Sequence, residues 1–174
     1  MTDLRYPIGK FSFRGNYSNE EIASFIDEIE ALPTVLKHAV AGLNEAQLNT
    51  PYREGGWTVK QVIHHLADSH INAYVRTKLA LTESDTTIKT YDQEKWANTK
   101  EIRLTPVSVS IDLLSALHMR WVLLLRSLEK EQLKKNFIHP ESGIKTIEWL
   151  IALYAWHGNH HTAHITSLKE RMGW

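Results

Sequence analysis

Apolar residues recur at helical spacing in four segments of the chain. The first segment follows Ser18, and its apolar positions are Ile22, Phe25, Ile26, Ile29, Leu32 and Leu36. Ser18 and Glu21 have the spacing of a capping box, which marks the start of a helix. Thr58 and Gln61 repeat that signal before a second segment, which ends near Leu81. The pattern therefore predicts two capped helices in the first half of the chain.

The second half of the chain contains two more segments of this kind. The third opens at Thr105 and Pro106, an N-cap followed by proline at the first helical position. The fourth begins near Thr146 and runs to about Met172, with Gly173 as a terminating residue. No stretch alternates regularly enough to predict a sheet. We therefore predict an all-α fold, a four-helix bundle.

The connections between the predicted helices hold the helix-breaking residues. They cover residues 44–56, 83–104 and 129–145. The middle one, at about twenty residues, is long for a compact domain, and a long crossover is one way of building a four-helix bundle. We predict a single domain over residues 1–174, with an extended N-terminal arm (residues 1–16) and a long crossover loop between helices 2 and 3.

The composition excludes several classes of partner and site. Twenty basic and twenty acidic residues cancel, which argues against binding to nucleic acid or to an anionic membrane. The chain has no cysteine, so a transition metal must be held by His, Asp or Glu. The first ten residues lack the apolar core of a signal peptide, and the longest apolar run, 149–156, is far shorter than the roughly 20 residues that span a bilayer. We expect a cytoplasmic protein.

Four of the ten histidines lie in the stretch WHGNHHTAHI, residues 156–165. On a helical wheel His161 falls near the middle of the apolar stripe, and His157 lies about 40° to one side. Two imidazoles at positions i and i+4 share a helix face and can bind one cation. His160 and His164 lie nearer the polar edge, where we expect supporting or surface roles. The pattern of this helix alone is also consistent with a second hypothesis, in which the histidines form a hydrogen-bonded core network without metal.

A catalytic zinc site needs about three protein ligands and one open position. Another helix must therefore supply the third ligand. The candidates are His64, His65, His70 and His118. The apolar stripe of the second helix favours His70, leaves His65 on its flank and turns His64 away. Periodicity alone does not choose between them.

Two helical motifs resemble those of the DinB/YfiT-like family. Residues 57–68, WTVKQVIHHLAD, are similar to the family pattern W-[ST]-x-x-[EQ]-x-x-x-H-L-x-[DE]. Residues 157–165, HGNHHTAHI, resemble H-x-x-H-H-x-G-Q-[IL], although Ala163 and His164 stand where the family often has Gly-Gln. The opening residues 3–10, DLRYPIGK, are similar to the YfiT branch. The resemblance spans nearly the whole chain.

The resemblance implies a four-helix bundle that binds one divalent ion, zinc first and nickel second. Matched by motif position, the ligands it implies are His65, His157 and His161. The last two agree with the helical wheel, whereas His65 rests on the resemblance alone and His70 is the reserve. Members of this family are described as metal-dependent hydrolases or thiol-S-transferases, and commonly form homodimers. The implied partners are a small-molecule substrate, in the second case with a low-molecular-weight thiol, and a second copy of the chain.

Three imidazoles leave a bound Zn²⁺ its full charge, which lowers the pKa of a coordinated water from 15.7 to about 7. Hydrolysis of an ester or amide is therefore the leading hypothesis, and His160, Asp68 and His118 are candidate general bases. The open position could instead bind a thiol for S-transfer. A third reading is a non-enzymatic binding or stress protein with a structural metal. A fourth protein ligand, such as His70 or His118, would favour that reading.

Overall fold

The computed structural model describes residues 3–174 and contains four long helices. These are α1 (Asn19–Val40), α3 (Val59–Thr82), α6 (Val107–Arg126) and α8 (Ile147–Met172). Four short helices lie in the connections, namely α2 (Glu45–Leu48), α4 (Gln93–Trp96), α5 (Lys100–Leu104) and α7 (Lys130–Leu133). The long helix α1 packs against α6 and α8, and α3 packs against the same two helices. The predicted all-α four-helix bundle is confirmed.

The helix starts follow the capping signals of the sequence. In α1 the Glu21 amide donates to Ser18 Oγ (3.2 Å), and the Ser18 amide donates to the Glu21 carboxylate (2.9 Å). Thr58 forms the same reciprocal pair at the start of α3. The third long helix starts slightly later than predicted, because Pro106 is its N-cap and the side chain of Thr105 makes no capping contact. At the end of α8, Gly173 adopts φ +69°, the left-handed conformation that closes helices.

A short β-hairpin corrects the expectation that the chain has no sheet. Strands β1 (Asn136–His139) and β2 (Gly143–Thr146) pair antiparallel in the connection between α7 and α8. Each strand has only four residues, too few for an alternating pattern to stand out from the sequence. The crossover loop also bonds to this hairpin, because the Ile88 amide donates to the Ile138 carbonyl oxygen (3.0 Å). The hairpin therefore holds the long loop against one end of the bundle.

Histidines separate two apolar clusters in the core. Along α3, the buried apolar residues between positions 59 and 67 belong to one cluster, and those between positions 73 and 80 belong to the other. Along α6 the two clusters meet around His118, and along α8 they meet between residues 155 and 165. His65, His70 and His118 are no more than 3% exposed. The bundle therefore encloses a histidine-rich layer between two apolar halves.

The described part of the N-terminal arm, residues 3–16, forms neither helix nor strand and packs along α8. The first two residues of the predicted arm lie outside the described range. The ring of Tyr6 lies 6.0 Å from that of His160, and Phe11 contacts Trp156 at 5.9 Å between ring centres. His164 Nε2 donates to the Arg5 carbonyl oxygen (3.2 Å). The arm therefore covers the face of α8 that carries His160 and His164.

Candidate metal centre

Three histidines from two helices converge at one point of the bundle. His65 on α3 and His157 and His161 on α8 each offer one nitrogen, and the three nitrogens lie within 4.8 Å of one another. His65 Nε2 and His157 Nε2 are 3.3 Å apart. Two nitrogens bound to one tetrahedral zinc ion at about 2.0–2.1 Å would be separated by about 3.3–3.4 Å. The three residues could therefore hold a metal ion.

Burial keeps these imidazoles in the form that binds metals. It lowers the pKa of His65 to about 4. Burial also lowers the pKa values of His157 and His161 well below the usual range, and the neighbouring histidines lower them further. Neutral imidazole has a free lone pair, whereas imidazolium has none. The cluster is therefore uncharged at neutral pH and available to a cation.

A chain of hydrogen bonds fixes the tautomer of His157. A backbone carbonyl only accepts, so the Nδ1–H of His118 donates to the Ile29 carbonyl oxygen (2.6 Å). Neutral His118 then accepts at Nε2 from the Nδ1–H of His70 (2.9 Å). Neutral His70 in turn accepts at Nε2 from the Nδ1–H of His157 (3.3 Å). The relay leaves His157 with an unprotonated Nε2, which faces His65.

The cluster is compatible with a bound metal ion and also with a hydrogen bond from the Nε2–H of His65 to the Nε2 of His157. The unprotonated Nε2 of His157 lies 3.3 Å from the Nε2 of His65. The Nδ1 of His161 is buried without a hydrogen-bond partner among residues 3–174. A buried polar atom without a partner costs about 1–3 kcal/mol. The same lack of a partner is found at one ring nitrogen each of His64, His160 and His164, so it does not single out the cluster. A cation at the point of convergence would bind the free lone pair of His157 Nε2.

The other histidines of the core do not join this group. His70 and His118 serve as links of the relay, and both ring nitrogens of each are engaged. His70 and His118 therefore lie outside the group of possible ligands. Their hydrogen bonds do not favour His70 as the reserve ligand, either residue as a fourth ligand, or His118 as a general base. His64 lies apart, with its Nδ1 2.7 Å from the Ser110 hydroxyl.

Of the supporting or surface roles expected for His160 and His164, the surface role is wrong. His160 is 6% exposed and stacks on Trp156 at 4.4 Å, while His164 is 3% exposed and stacks on Tyr52 at 4.0 Å. The helical wheel placed these side chains toward the polar edge of α8, but the N-terminal arm packs over that edge. His160 is thus held beside the cluster rather than in solvent.

Comparison with known proteins identifies the family. A family profile described as the DinB superfamily matches residues 28–165. The chain belongs to the DinB superfamily. It is 56% identical to proteins from Bacillus mycoides and Bacillus cereus, over the full length of both partners, and each relative is named "Putative metal-dependent hydrolase". The resemblance found in the two helical motifs is therefore confirmed.

Solved structures that are similar to this DinB-superfamily chain include two four-helix bundles. YfiT from Bacillus subtilis is 48% identical, superposes with a TM-score of 0.96 and matches over 98% of both chains. It is described as "a probable metal-dependent hydrolase with an unusual four-helix bundle topology". The four-helix bundle protein TT2238 is 22% identical with a TM-score of 0.54, over 88% of this chain and 99% of that one, and supports the fold alone.

Trp57 forms a wall of the histidine cluster, a role that its sequence position did not reveal. Its ring lies 4.6 Å from that of His65 and 6.3 Å from that of His161. The indole Nε1–H donates to the carboxylate of Glu94 on α4 (3.0 Å). The crossover loop therefore fixes the tryptophan that covers two of the three imidazoles.

A pocket of about 420 Å³ reaches the cluster at His157. Its lining also includes Ser69 and Tyr154, whose hydroxyl groups are 3.1 Å apart, and Tyr91 from the crossover loop. Burial raises the pKa of Tyr91 to about 12. Sites of this size accommodate small molecules. The pocket borders one of the three histidines of the candidate metal centre.

Asp68 lies one helical turn after His65 on α3 and is half-buried. Burial raises its pKa from 3.8 to about 6, and the negative charge of Glu101 contributes to the rise. Its charge in turn raises the pKa of Tyr91, which lines the pocket. A carboxylate that titrates near pH 6 can accept a proton at neutral pH. Asp68 lies outside the lining of the pocket, so its role as the general base stays a prediction.

Proposed function

We propose that this protein is a metal-dependent hydrolase acting on a small ester or amide. The observation that carries the proposal is the tautomer of His157, whose Nε2 is left unprotonated beside two other neutral imidazoles. The names of the relatives and of YfiT support the same reaction class. Zinc is the ion that we expect first, and nickel second, because imidazole ligands suit both.

Each group of residues would have its own task. His65, His157 and His161 would hold the ion, which would supply Lewis acidity and lower the pKa of water from 15.7 to about 7. Asp68 takes up the proton that the attacking water loses. The pocket beside His157 holds the substrate. The relay through His70 keeps the His157 ring in its binding orientation.

The arrangement of donors favours catalysis over a structural metal. A structural zinc site is closed by four protein ligands, whereas a catalytic site keeps one position for water or substrate. Within residues 3–174 the group of possible ligands contains three histidines and no fourth residue. The relay occupies the two histidines that could have closed the sphere.

Metal analysis of protein purified without a histidine tag tests the site. We expect about one equivalent of zinc or nickel in the wild type and none in His161→Ala. The matched control is His160→Gln, which removes the neighbouring histidine that is absent from the ligand group and should retain the metal. Equal metal content in His161→Ala and wild type would contradict the assignment.

A substrate screen tests the reaction. Purified protein loaded with zinc should hydrolyse at least one member of a panel of small esters and amides, and a chelator should abolish the turnover. Turnover of an electrophile only when a small thiol is added would replace hydrolysis by thiol transfer. Full metal content without turnover in either panel would point to the structural role.

A further inference from the structure

The pocket beside the candidate metal centre contains an arginine that forms no ion pair with any residue in the range 3–174. Arg76 on α3 is half-buried and lines this pocket together with His157. Seven ion pairs occur within residues 3–174, and none of them includes Arg76. A guanidinium cannot lose its charge at physiological pH and presents a planar fork of donors. Arg76 therefore offers the pocket a permanent positive charge.

The charge of Arg76 affects the pKa values of two other residues that line the pocket, His139 and Tyr154. Burial lowers the pKa of His139, and the charge of Arg76 lowers it further. Burial raises the pKa of Tyr154, while Arg76 opposes that rise. His139 Nδ1 accepts from the Glu141 amide (3.3 Å), so in the neutral ring Nε2 carries the hydrogen. One cation and one neutral N–H donor thus stand on the walls of the same pocket.

We propose that Arg76 binds a carboxylate group of the substrate, which is then a small ester or amide carrying one negative charge. The proposal rests on the proposed function and names its substrate class. Arg76 lies eleven residues after the candidate ligand His65, or about 16 Å along α3, and a helical side chain that leans toward the N-terminus shortens this distance. A substrate held at both ends would have a chain of several carbon atoms between its carboxylate and its scissile carbonyl. Arginine and carboxylate match in a two-point hydrogen-bonded pair.

The rest of the lining favours a singly charged group over a phosphate. Asp92 and Glu141 also line the pocket. Hydrogen bonds from Lys95 lower the pKa of Asp92, which keeps that carboxylate ionised. A phosphate with two negative charges would meet one cation and repulsion from both carboxylates. A carboxylate is repelled half as strongly by Asp92 and Glu141, and its two coplanar oxygens match the guanidinium fork, which offsets that repulsion.

The experiment is a chemical-shift titration of the zinc-loaded protein with pentanoate, pentanamide and pentyl phosphate. Wild type should bind pentanoate more tightly than the other two. Arg76→Gln should weaken pentanoate binding about 10- to 100-fold, the loss expected for a hydrogen-bonded charge partner. Arg103→Gln, which alters an exposed arginine on α5 outside the pocket, is the matched control and should bind like wild type.

Each outcome decides the question without requiring turnover. Equal pentanoate affinity in Arg76→Gln and wild type would overturn the proposal, because the carboxylate would then bind elsewhere, for example at the zinc ion. Pentanamide binding as tightly as pentanoate, or pentyl phosphate binding more tightly, would overturn the assignment of a carboxylate. The same titration of zinc-free protein separates the two hypotheses, since a loss specific to Arg76→Gln would persist there even if hydrolysis is never found.

Discussion

At the scale of single residues, the site depends on the tautomers of the histidines as much as on the positions of their rings. One backbone carbonyl, that of Ile29, orients His118, then His70, then His157. Histidine ligands of metals commonly donate their second ring nitrogen to a supporting acceptor, which fixes the tautomer. In this chain the acceptor is another histidine, and the direction of the relay follows from the fact that a carbonyl cannot donate.

Removing the middle of the relay should weaken metal binding. We expect His70→Leu to lower zinc affinity about 10- to 100-fold, the range found for partners that support a ligand. His70→Gln, which keeps an acceptor and a donor, should recover part of the loss. Competition with a chromophoric chelator measures the affinity, and ¹⁵N spectra of His157 report its tautomer.

The control for the relay is His38→Leu, which alters an exposed histidine on α1. It should bind zinc as wild type does. A folded His70→Leu protein with unchanged zinc affinity and an unchanged His157 tautomer would show that the relay does not position the ligand.

Asp68→Asn should make the protein less active but more stable. As the general base, Asp68 must be ionised, so activity should fall as pH drops through about 6, and the variant should lose about 10²- to 10⁴-fold in kcat. The pKa of Asp68 is about 6 in the folded chain against an ordinary 3.8, so folding favours the protonated form. Ionisation therefore costs stability, fully above about pH 6 and not at all below about pH 4.

The measurements are a pH–rate profile and thermal unfolding at about pH 7.5, above the folded-state pKa. The variant should unfold at a higher temperature than wild type at that pH and at the same temperature near pH 4. Asp112→Asn, at an exposed position on α6, should change neither quantity. A wild-type rate profile in Asp68→Asn would assign the base elsewhere.

At the scale of elements, the long helices could be predicted and their surroundings could not. Capping boxes at Ser18 and Thr58 marked two helix starts because they are local hydrogen-bond patterns between a residue and the one three positions later. The hairpin escaped because four-residue strands carry little periodic signal and are stabilised by pairing and by contact with the crossover loop. Helix boundaries that depend on local hydrogen bonds can thus be predicted from the sequence, whereas strand boundaries that depend on pairing with another segment cannot.

One glycine shows how an element positions the chemistry. Gly158 follows His157 on α8, and a Cβ atom there would lie 2.8 Å from Leu32 Cδ2 on α1. The absence of a side chain lets α1 and α8 approach closely beside the histidine cluster. The helical wheel predicted that His157 and His161 both point inward, and both belong to the histidine cluster. Helical periodicity gives no information about the distance to the next helix.

At the scale of the whole molecule, a metal ion would join α3 to α8 across the histidine layer. A ligand that binds only the folded chain stabilises it by about 2.7 kcal/mol at one hundred times its dissociation constant. In a domain of this size each kcal/mol raises Tm by about 2–4 °C. Zinc should therefore raise the Tm of the metal-free protein by several degrees, and a chelator should reverse the change.

Thermal unfolding followed by circular dichroism measures this effect. His161→Ala should show little dependence of Tm on zinc, whereas His160→Gln should respond as wild type does. An identical Tm with zinc and with chelator in the wild type would mean that no ion bridges the two helices.

Several whole-molecule expectations stay predictions. These are the homodimer, the cytoplasmic location, and the absence of membrane and nucleic-acid partners. By length and composition α6 is long and apolar enough to cross a membrane, and 33% of that stretch is buried, in contacts that include those with α1 and α3. The division into a single domain with an N-terminal arm likewise stays a prediction of the sequence.

The sequence by itself determined the helices, the four-helix class and the pair His157 and His161, because caps and helical periodicity are local properties. The sequence identified His65 only through a family motif. Helical periodicity does not show which of the adjacent residues His64 and His65 faces a helix that is distant in sequence. Tertiary structure alone decided that His70 supports His157, that the N-terminal arm buries His160, and that Arg76 shares a pocket with the cluster. Each of these depends on contacts between segments far apart in the chain, and such contacts leave no regular spacing to read.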